Sequence, residues 1–181
     1  MNWVVVDDTF TVEELDTMCE YFDTHSKLQN SSTPSNTGRW RLSDVSFFER
    51  QNTEVKWIFD RIDKKISSVN KEIFNFKLNG YNFFQYAVYN EKGHYKFHPD
   101  TLTGELGVRK LSVSLVLNEY GVDYDGGEFL FNMGSEEKPH VVPLKKGSMV
   151  LFPSYLLHAV SPVTKGTRKS LVVWVEGPKF I

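Results

Sequence analysis

The sequence predicts a mainly β protein, an antiparallel sandwich or barrel braced by N-terminal helices. Three observations predict it. From residue 81 onward, short runs of strand formers alternate with turn residues and no helical period intervenes. Before residue 80, two stretches instead repeat apolar residues at spacings of three and four. Aromatic residues, which suit strands, make up 14% of the 181-residue chain. That length is enough to bury one core without staples, so 1–181 reads as a single domain, with 1–80 as helical support and a polar loop and 81–181 as the core that carries any site.

The first helix is announced by Thr11-Val12-Glu13-Glu14, a capping box in which the Thr hydroxyl takes a backbone N–H and Glu14 reaches back. Val12, Leu15, Met18, Cys19 and Phe22 then share one face. A second amphipathic helix follows from Val55, Ile58, Phe59, Ile62, Ile66 and Val69. Between them, Ser26 to Gly38 is polar and rich in turn formers, either a surface excursion or a lid over a site when extended to 26–40. The clearest strands are Tyr81 to Tyr89, Lys110 to Asn118, Glu128 to Phe131, Val141 to Val142, Ser148 to Phe152 and Lys169 to Val175. Asp125-Gly126-Gly127, Lys146-Gly147 and Pro162 to Gly166 mark the turns.

Composition excludes several classes. Hydrophobic residues at 40% and charged residues at 24% are those of a globular protein, not a disordered or fibrous one. Twenty-one basic against 23 acidic residues give a net charge of −2, too balanced for a protein that lives on a nucleic-acid backbone. No apolar run reaches membrane-spanning length, and the N-terminus lacks a signal-peptide pattern. Cys19 is the only cysteine, which rules out an intramolecular disulfide and fits a reducing compartment. The expectation is a cytoplasmic protein without nucleic-acid or membrane partners; its oligomeric state is open.

Of the five histidines, His98 is the informative one, in His98-Pro99-Asp100. On an extended segment residues two apart point to one side, so its imidazole converges with the Asp100 carboxylate. Pro99 cannot join a ladder, which places the pair at a sheet edge or strand end. His158 lies in the apolar segment Leu156 to Val160, where an unpaired imidazole is out of place. Arg168 follows ten residues later, beyond a turn. A hairpin symmetric about Val163 sets 158 opposite 168 and points both side chains into one space. A guanidinium beside a histidine is favourable when that histidine is neutral on a metal and an anion lies between them. Two histidines and a carboxylate with open positions suit a non-haem Fe(II) centre, and also zinc or manganese; a planar fork that grips a carboxylate favours iron with a dicarboxylate co-substrate.

These residues resemble the Fe(II)/2-oxoglutarate-dependent dioxygenases, within them the prolyl 4-hydroxylase-like group of small microbial and viral type. The resemblance runs over about residues 81–177, more loosely over 57–76. It rests on Tyr89 to Asp100, on Arg109-Lys110-Leu111-Ser112 through Leu117-Asn118, on Asp125-Gly126-Gly127-Glu128-Phe129, on Val142-Pro143 through Gly147-Ser148 to Phe152, and on His158 followed by Arg168. It implies a double-stranded β-helix, the jelly-roll or cupin-like barrel. It implies His98, Asp100 and His158 on iron as metal ligands and catalytic residues, and 2-oxoglutarate held by Arg168 with Tyr89 and Ser170 assisting. O2 is the oxidant and ascorbate an accessory reductant. The implied reaction is hydroxylation of a peptidyl or free amino acid, proline first, with release of succinate and CO2, since halogenating members usually lack the carboxylate at position 100. Phe129 replaces the usual Thr, and collagen- and plant-type members usually carry Lys where Arg168 stands.

Two other readings compete: a cupin-like barrel that binds a metal or small ligand without oxygenase chemistry, and an interaction module with no metal. A non-oxygenase cupin needs no dicarboxylate clamp. His25, His94 and His140 read as exposed or turn residues, Trp174 with Val172 and Val173 as core, and Lys64-Lys65 and Lys145-Lys146 as solvated faces.

Overall fold

The computed structural model describes residues 3–31, 40–102 and 107–179. In chain order the elements are β1 (Val4–Val6), α1 (Val12–His25), β2 (Gln29–Asn30), β3 (Arg41–Leu42), β4 (Asp44–Glu49) and α2 (Lys56–Val69), which runs into a π-helical turn (Asn70–Phe74). Then come β5 (Phe83–Tyr89), β6 (His94–His98), β7 (Arg109–Val116), β8 (Tyr124–Gly126), β9 (Phe129–Phe131), β10 (His140–Val142), β11 (Met149–Pro153), β12 (His158–Val160), β13 (Val163–Gly166) and β14 (Arg168–Glu176). One seven-stranded sheet has the order β1-β11-β7-β14-β5-β4-β2, and a five-stranded sheet has the order β10-β9-β12-β6-β3. β13 and β8 form a separate ribbon. The ladders are antiparallel and the architecture is jelly-roll-like, as the strand pattern predicts.

The seven-stranded sheet is buried on both faces, and its period of two divides the work. Phe84, Tyr86 and Val88 of β5, Leu111, Val113 and Leu115 of β7, and Leu171, Val173 and Val175 of β14 join one apolar cluster. Both helices close that cluster. α1 contributes Leu15, Met18 and Phe22, and α2 contributes Ile58, Phe59, Ile62, Ile66 and Val69. The capping box at Thr11 forms as predicted, with Glu14 N–H donating to Thr11 Oγ1 at 3.2 Å and Thr11 N–H to Glu14 Oε2 at 2.9 Å. The alternate positions carry Gln85 and Tyr89, Ser112 and Ser114, and Arg168 and Ser170, all buried. These face the five-stranded sheet.

The first 80 residues do more than supply helices. β1 pairs with β11, β4 with β5, and β3 with β6, so both large sheets take strands from this half. Part of the polar loop is also ordered as β2, paired with β4. Residues 32–39 lie outside the described residues, and with them most of the segment expected as a lid.

The expected 158–168 hairpin does not form. β12 pairs with β6 and β9, β14 pairs with β5 and β7, and the intervening β13 turns away to β8. His158 and Arg168 therefore sit on opposite sheets. They meet across the sandwich, because both point inward.

Phe22 is fully buried, with its ring centroid 4.9 Å from Phe48, 5.1 Å from Tyr86 and 5.7 Å from Phe84. Phe22→Ala is expected to cost about 3–5 kcal/mol in urea unfolding, against about 1 kcal/mol for Thr11→Ala at the cap.

Candidate metal centre and anion anchor

His98 ends β6 and His158 begins β12, and the two are register partners in the five-stranded sheet. The chain leaves β6 through Pro99, and Asp100 is then held to the 153–155 turn by its N–H donating to Ser154 O at 2.8 Å. As a result one ligand-type atom each from His98, Asp100 and His158 lies within 4.8 Å of the others. His98 Nε2 is 3.6 Å from Asp100 Oδ1, and His158 Nε2 is 3.5 Å from Asp100 Oδ2. All three residues are buried.

Both imidazoles are oriented in the same way. His98 Nδ1 lies 2.7 Å from Lys96 O, and His158 Nδ1 lies 2.9 Å from Leu156 O. A carbonyl can only accept, so each Nδ1 carries the proton and each Nε2 presents a lone pair. Burial, with His98 alongside, pushes the His158 pKa down to about 4, although Asp100 and the Leu156 carbonyl pull the other way. Burial alone would raise the pKa of Asp100; the two imidazoles and the Ser112 hydroxyl outweigh it and hold the carboxyl well below its usual range. Asp100 Oδ2 has no hydrogen-bond partner although it is buried. An unpartnered carboxylate oxygen beside two imidazole lone pairs is costly for a core and fitting for a divalent cation.

A bulge shapes the wall beside the centre. His158 pairs with His98, but two residues on, Val160 pairs with Tyr95, three residues back on β6. The extra residue re-aims Tyr95 so that it stacks on His98, centroids 3.5 Å apart and planes 14° apart. Arg41 then lies over the other face of Tyr95, 4.6 Å from its centroid, and donates to Gln85 Oε1 at 2.7 Å and Ser43 Oγ at 2.8 Å.

Arg168 is 1% exposed. Its Nη1 donates to Ser170 Oγ at 3.1 Å, its guanidinium carbon is 5.6 Å from the Tyr89 centroid, and its Nε has no partner. Among the described residues no carboxylate comes within 4.0 Å of it. A buried cation left unpaired costs several kcal/mol, so this position asks for an anion. Arg168, Ser170 and Tyr89 line one narrow cavity with His98, Asp100 and His158. A dicarboxylate with one end among the triad and the other on Arg168 fits that donor set. The predicted site residues thus all come together.

The sequence reading gave no site role to Arg41, Gln85, Tyr95 and Ser114, which also line this cavity, and it took Val172 and Trp174 as core although both line it. Trp174 is half-buried, lines the cavity, holds Arg109 over its ring at 4.2 Å and has an unpartnered buried Nε1. Its position was available from the alternation 168, 170, 172, 174 along one face of β14. His25, His94 and His140 stand apart from the centre. His25 stacks on Tyr21, His94 Nδ1 contacts Lys92 O, and His140 packs on Trp3.

The fold and this donor set are those of an iron oxygenase barrel, and the comparisons agree. Residues 84–176, just over half of the chain, match the 2OG-Fe(II) oxygenase superfamily, and the chain belongs to it. A PKHD-type hydroxylase of Synechococcus sp. is 38% identical over 84 residues, 45% of this chain but only 36% of that protein. One from Alteromonas mediterranea is 25% identical over 195 residues, covering 96% of this chain and 77% of its own length. A solved Pseudomonas putida prolyl-4-hydroxylase superposes with a TM-score of 0.78 at 20% identity, covering 98% of this chain and 93% of its own. A Trichoplax adhaerens prolyl hydroxylase, solved with a hypoxia-inducible-factor peptide fragment, gives 0.78 at 17% identity, covering 97% and 84%. No helix among the described residues is long and apolar enough to cross a membrane.

His98→Ala, Asp100→Ala and His158→Ala are each expected to weaken Mn(II) binding, measured by calorimetry, by more than the roughly 10–100-fold typical of residues outside the ligand set. Tyr95→Leu, which removes the stack on His98 and the Arg41 contact but no ligand atom, should fall inside that range.

Proposed function

We propose that the protein is an Fe(II)- and 2-oxoglutarate-dependent dioxygenase that hydroxylates a C–H bond of a peptidyl or free amino acid, proline first, with release of succinate and CO2. One observation carries the proposal: a buried His–Asp–His cluster and a buried, uncompensated guanidinium line the same cavity. His98 Nε2, His158 Nε2 and an Asp100 oxygen would hold the ferrous ion. Arg168 would bind the far carboxylate of 2-oxoglutarate, with Ser170 orienting the fork from Nη1 and Tyr89 packing alongside. When bound, ion and co-substrate supply the oxidising chemistry, one atom of O2 going to succinate and one to the product, with ascorbate as accessory reductant.

The chain's own residues do the rest. The carbonyls of Lys96 and Leu156 keep both Nδ1 atoms protonated, so neither histidine turns its donor face to the ion. Phe129 and Phe152 pack against His158, at 5.7 and 4.6 Å between centroids, and exclude water from that side. Asp100 N–H and Thr101 N–H both donate to Ser154 O, and the residues that follow in each segment, Leu102 and Tyr155, are exposed apolar side chains, each 56% exposed. Exposed apolar side chains near the Asp100 segment suit the ring of a prolyl residue. The similar solved structures named as prolyl hydroxylases support the same substrate class, and the PKHD-type relatives support hydroxylation.

Adding 2-oxoglutarate to the Fe(II) protein without O2 is expected to produce a visible charge-transfer band; metal binding with no band would instead favour a cupin-like binding barrel. Arg168→Ala should raise the 2-oxoglutarate requirement roughly 10–100-fold, the worth of one lost charged hydrogen-bond pair, whereas His98→Ala should abolish succinate formation. Mass spectrometry of candidate peptides and amino acids, seeking a gain of one oxygen, identifies the substrate.

A further inference from the structure

Arg168 lines a second cavity besides that of the triad, and Phe129 is the only other residue common to both. This cavity, of about 540 Å3, opens between the β8–β9 turn, β10 and the segment entering β11. Its walls include Tyr124, Phe129, Val142 and Leu144 together with Asp7, Glu128 and Ser148, and at its rim stand Val141, 50% exposed, and Lys145. That volume lies within the roughly 300–1,000 Å3 of small-molecule sites, whose usual make-up is mostly apolar walls with a few placed polar groups. Of the charged residues here, Asp7 pairs with Lys145 and Glu128 accepts from Ser161, which leaves Arg168 as the buried one without a charged partner among the described residues.

The guanidinium is fixed at the junction. A Cβ added to Gly127, whose φ is +65°, would meet Arg168 Cδ at 2.9 Å and Val163 Cγ2 at 3.1 Å, so the arginine stem is pinned against that turn. Five N–H groups fan out from it; Nη1 is bonded to Ser170, and Nε is buried without a partner. A bidentate carboxylate on the triad side uses two, which leaves donors for a second anion.

We propose that the second cavity binds a small amphipathic monocarboxylate, its apolar body between Tyr124, Val142 and Leu144 and its carboxylate on Arg168, and that it weakens co-substrate binding by drawing on the same guanidinium. An apolar body suits the wall of Phe129, Val142 and Leu144, because the other polar groups that line the cavity, Asp7, Glu128 and Ser148, already have partners within the protein. The binding stands on the cavity itself; the coupling rests on the proposed role of Arg168 toward 2-oxoglutarate.

Hexanoate is the probe, titrated into the full-length Mn(II)-loaded protein by saturation-transfer NMR and calorimetry. Saturable binding is expected, weakened at least tenfold by Leu144→Asp and by Val141→Trp, with 2-oxoglutarate affinity in both variants within twofold of wild type. Val141 is exposed, so that variant keeps the test intact should Leu144→Asp not fold. Saturating hexanoate should raise the 2-oxoglutarate Kd at least threefold, and saturating 2-oxoglutarate should raise the hexanoate Kd by the same factor. Hexanoate that does not saturate, or that binds both variants as it binds wild type, overturns the proposal. Displacement by 2-oxoglutarate with indifference to Leu144 and Val141 also overturns it, by putting the anion in the triad cavity. A wild-type protein that takes hexanoate with the expected variant losses but never binds 2-oxoglutarate upholds the site and overturns only the coupling and the proposed function.

Discussion

Burying the second face of the seven-stranded sheet is the constraint on which the rest depends. Its first face is an ordinary apolar contact with α1 and α2. Its second face carries Gln85, Ser112, Ser114, Arg168 and Ser170, each 5% exposed or less. Polar groups can be buried only with partners. Some find them in the protein: Gln85 accepts from Arg41, Ser112 meets Ser154 at 2.9 Å, and Ser170 accepts from Arg168. Arg168 keeps a charge that nothing in the described protein neutralises. A sheet that is polar on an enclosed face makes sense when that face holds a ligand, and the uncompensated sign says that the ligand is an anion.

The opposing sheet is built to complement that demand. Its inner face places two imidazoles in register and a carboxylate just past the strand end, so the histidines are fixed by ladder pairing and Asp100 by its backbone bond to Ser154 O. Sites on strands are held more tightly than sites on loops. The bulge in β6 adds a second layer of support, because it turns Tyr95 onto the His98 ring where a regular strand would turn it away. Apolar anchoring by the helices on one side keeps the sheet rigid, and the polar residues on the other side then need little freedom to meet a ligand.

Much of this was legible in the chain. The i, i+2 spacing of His98 and Asp100, the isolated polar His158 in an apolar segment, and the capping box at Thr11 each follow from local geometry, and local geometry is what a sequence states most directly. The approach of Arg168 to His158 was inferred through a hairpin that does not exist; it holds because inward-facing positions on two facing sheets share one interior. Which strands pair is a property of the whole sandwich, and no spacing within 158–168 encodes it. β1 and β4 were missed because Val4–Val6 and Asp44–Glu49 are strands by virtue of the partners they find on β11 and β5. Trp174 shows the converse error. A tryptophan among valines reads as core, yet it sits on the polar phase of β14, three places along the same face as Arg168. The Leu-Ser-Val-Ser-Leu run at 111–115 carries the clearest unused signal, since small polar residues alternating with apolar ones on a central strand mean either a solvent face or a lined cavity, and the helical cover to be buried elsewhere favours the cavity.

The choice of arginine at position 168 follows from the same geometry. Lysine would present one compact charge at the end of a flexible stem, while a guanidinium offers a rigid planar fork with donors on more than one edge. The stem is confined by Gly127, where any side chain would collide with it, so the fork sits where two cavities meet. Ser170 fixes one edge and leaves Nε unclaimed. A group placed in this way can grip a carboxylate bidentately with little loss of side-chain entropy, because packing has already restricted its rotamers. It also answers to whatever occupies either side, since an anion that polarises the fork from one cavity reduces what it can give to the other. The arrangement that would make the proposed co-substrate anchor strong is therefore the one that would expose it to competition, and both properties would come from burying a single positive charge between two spaces without giving it a partner of its own.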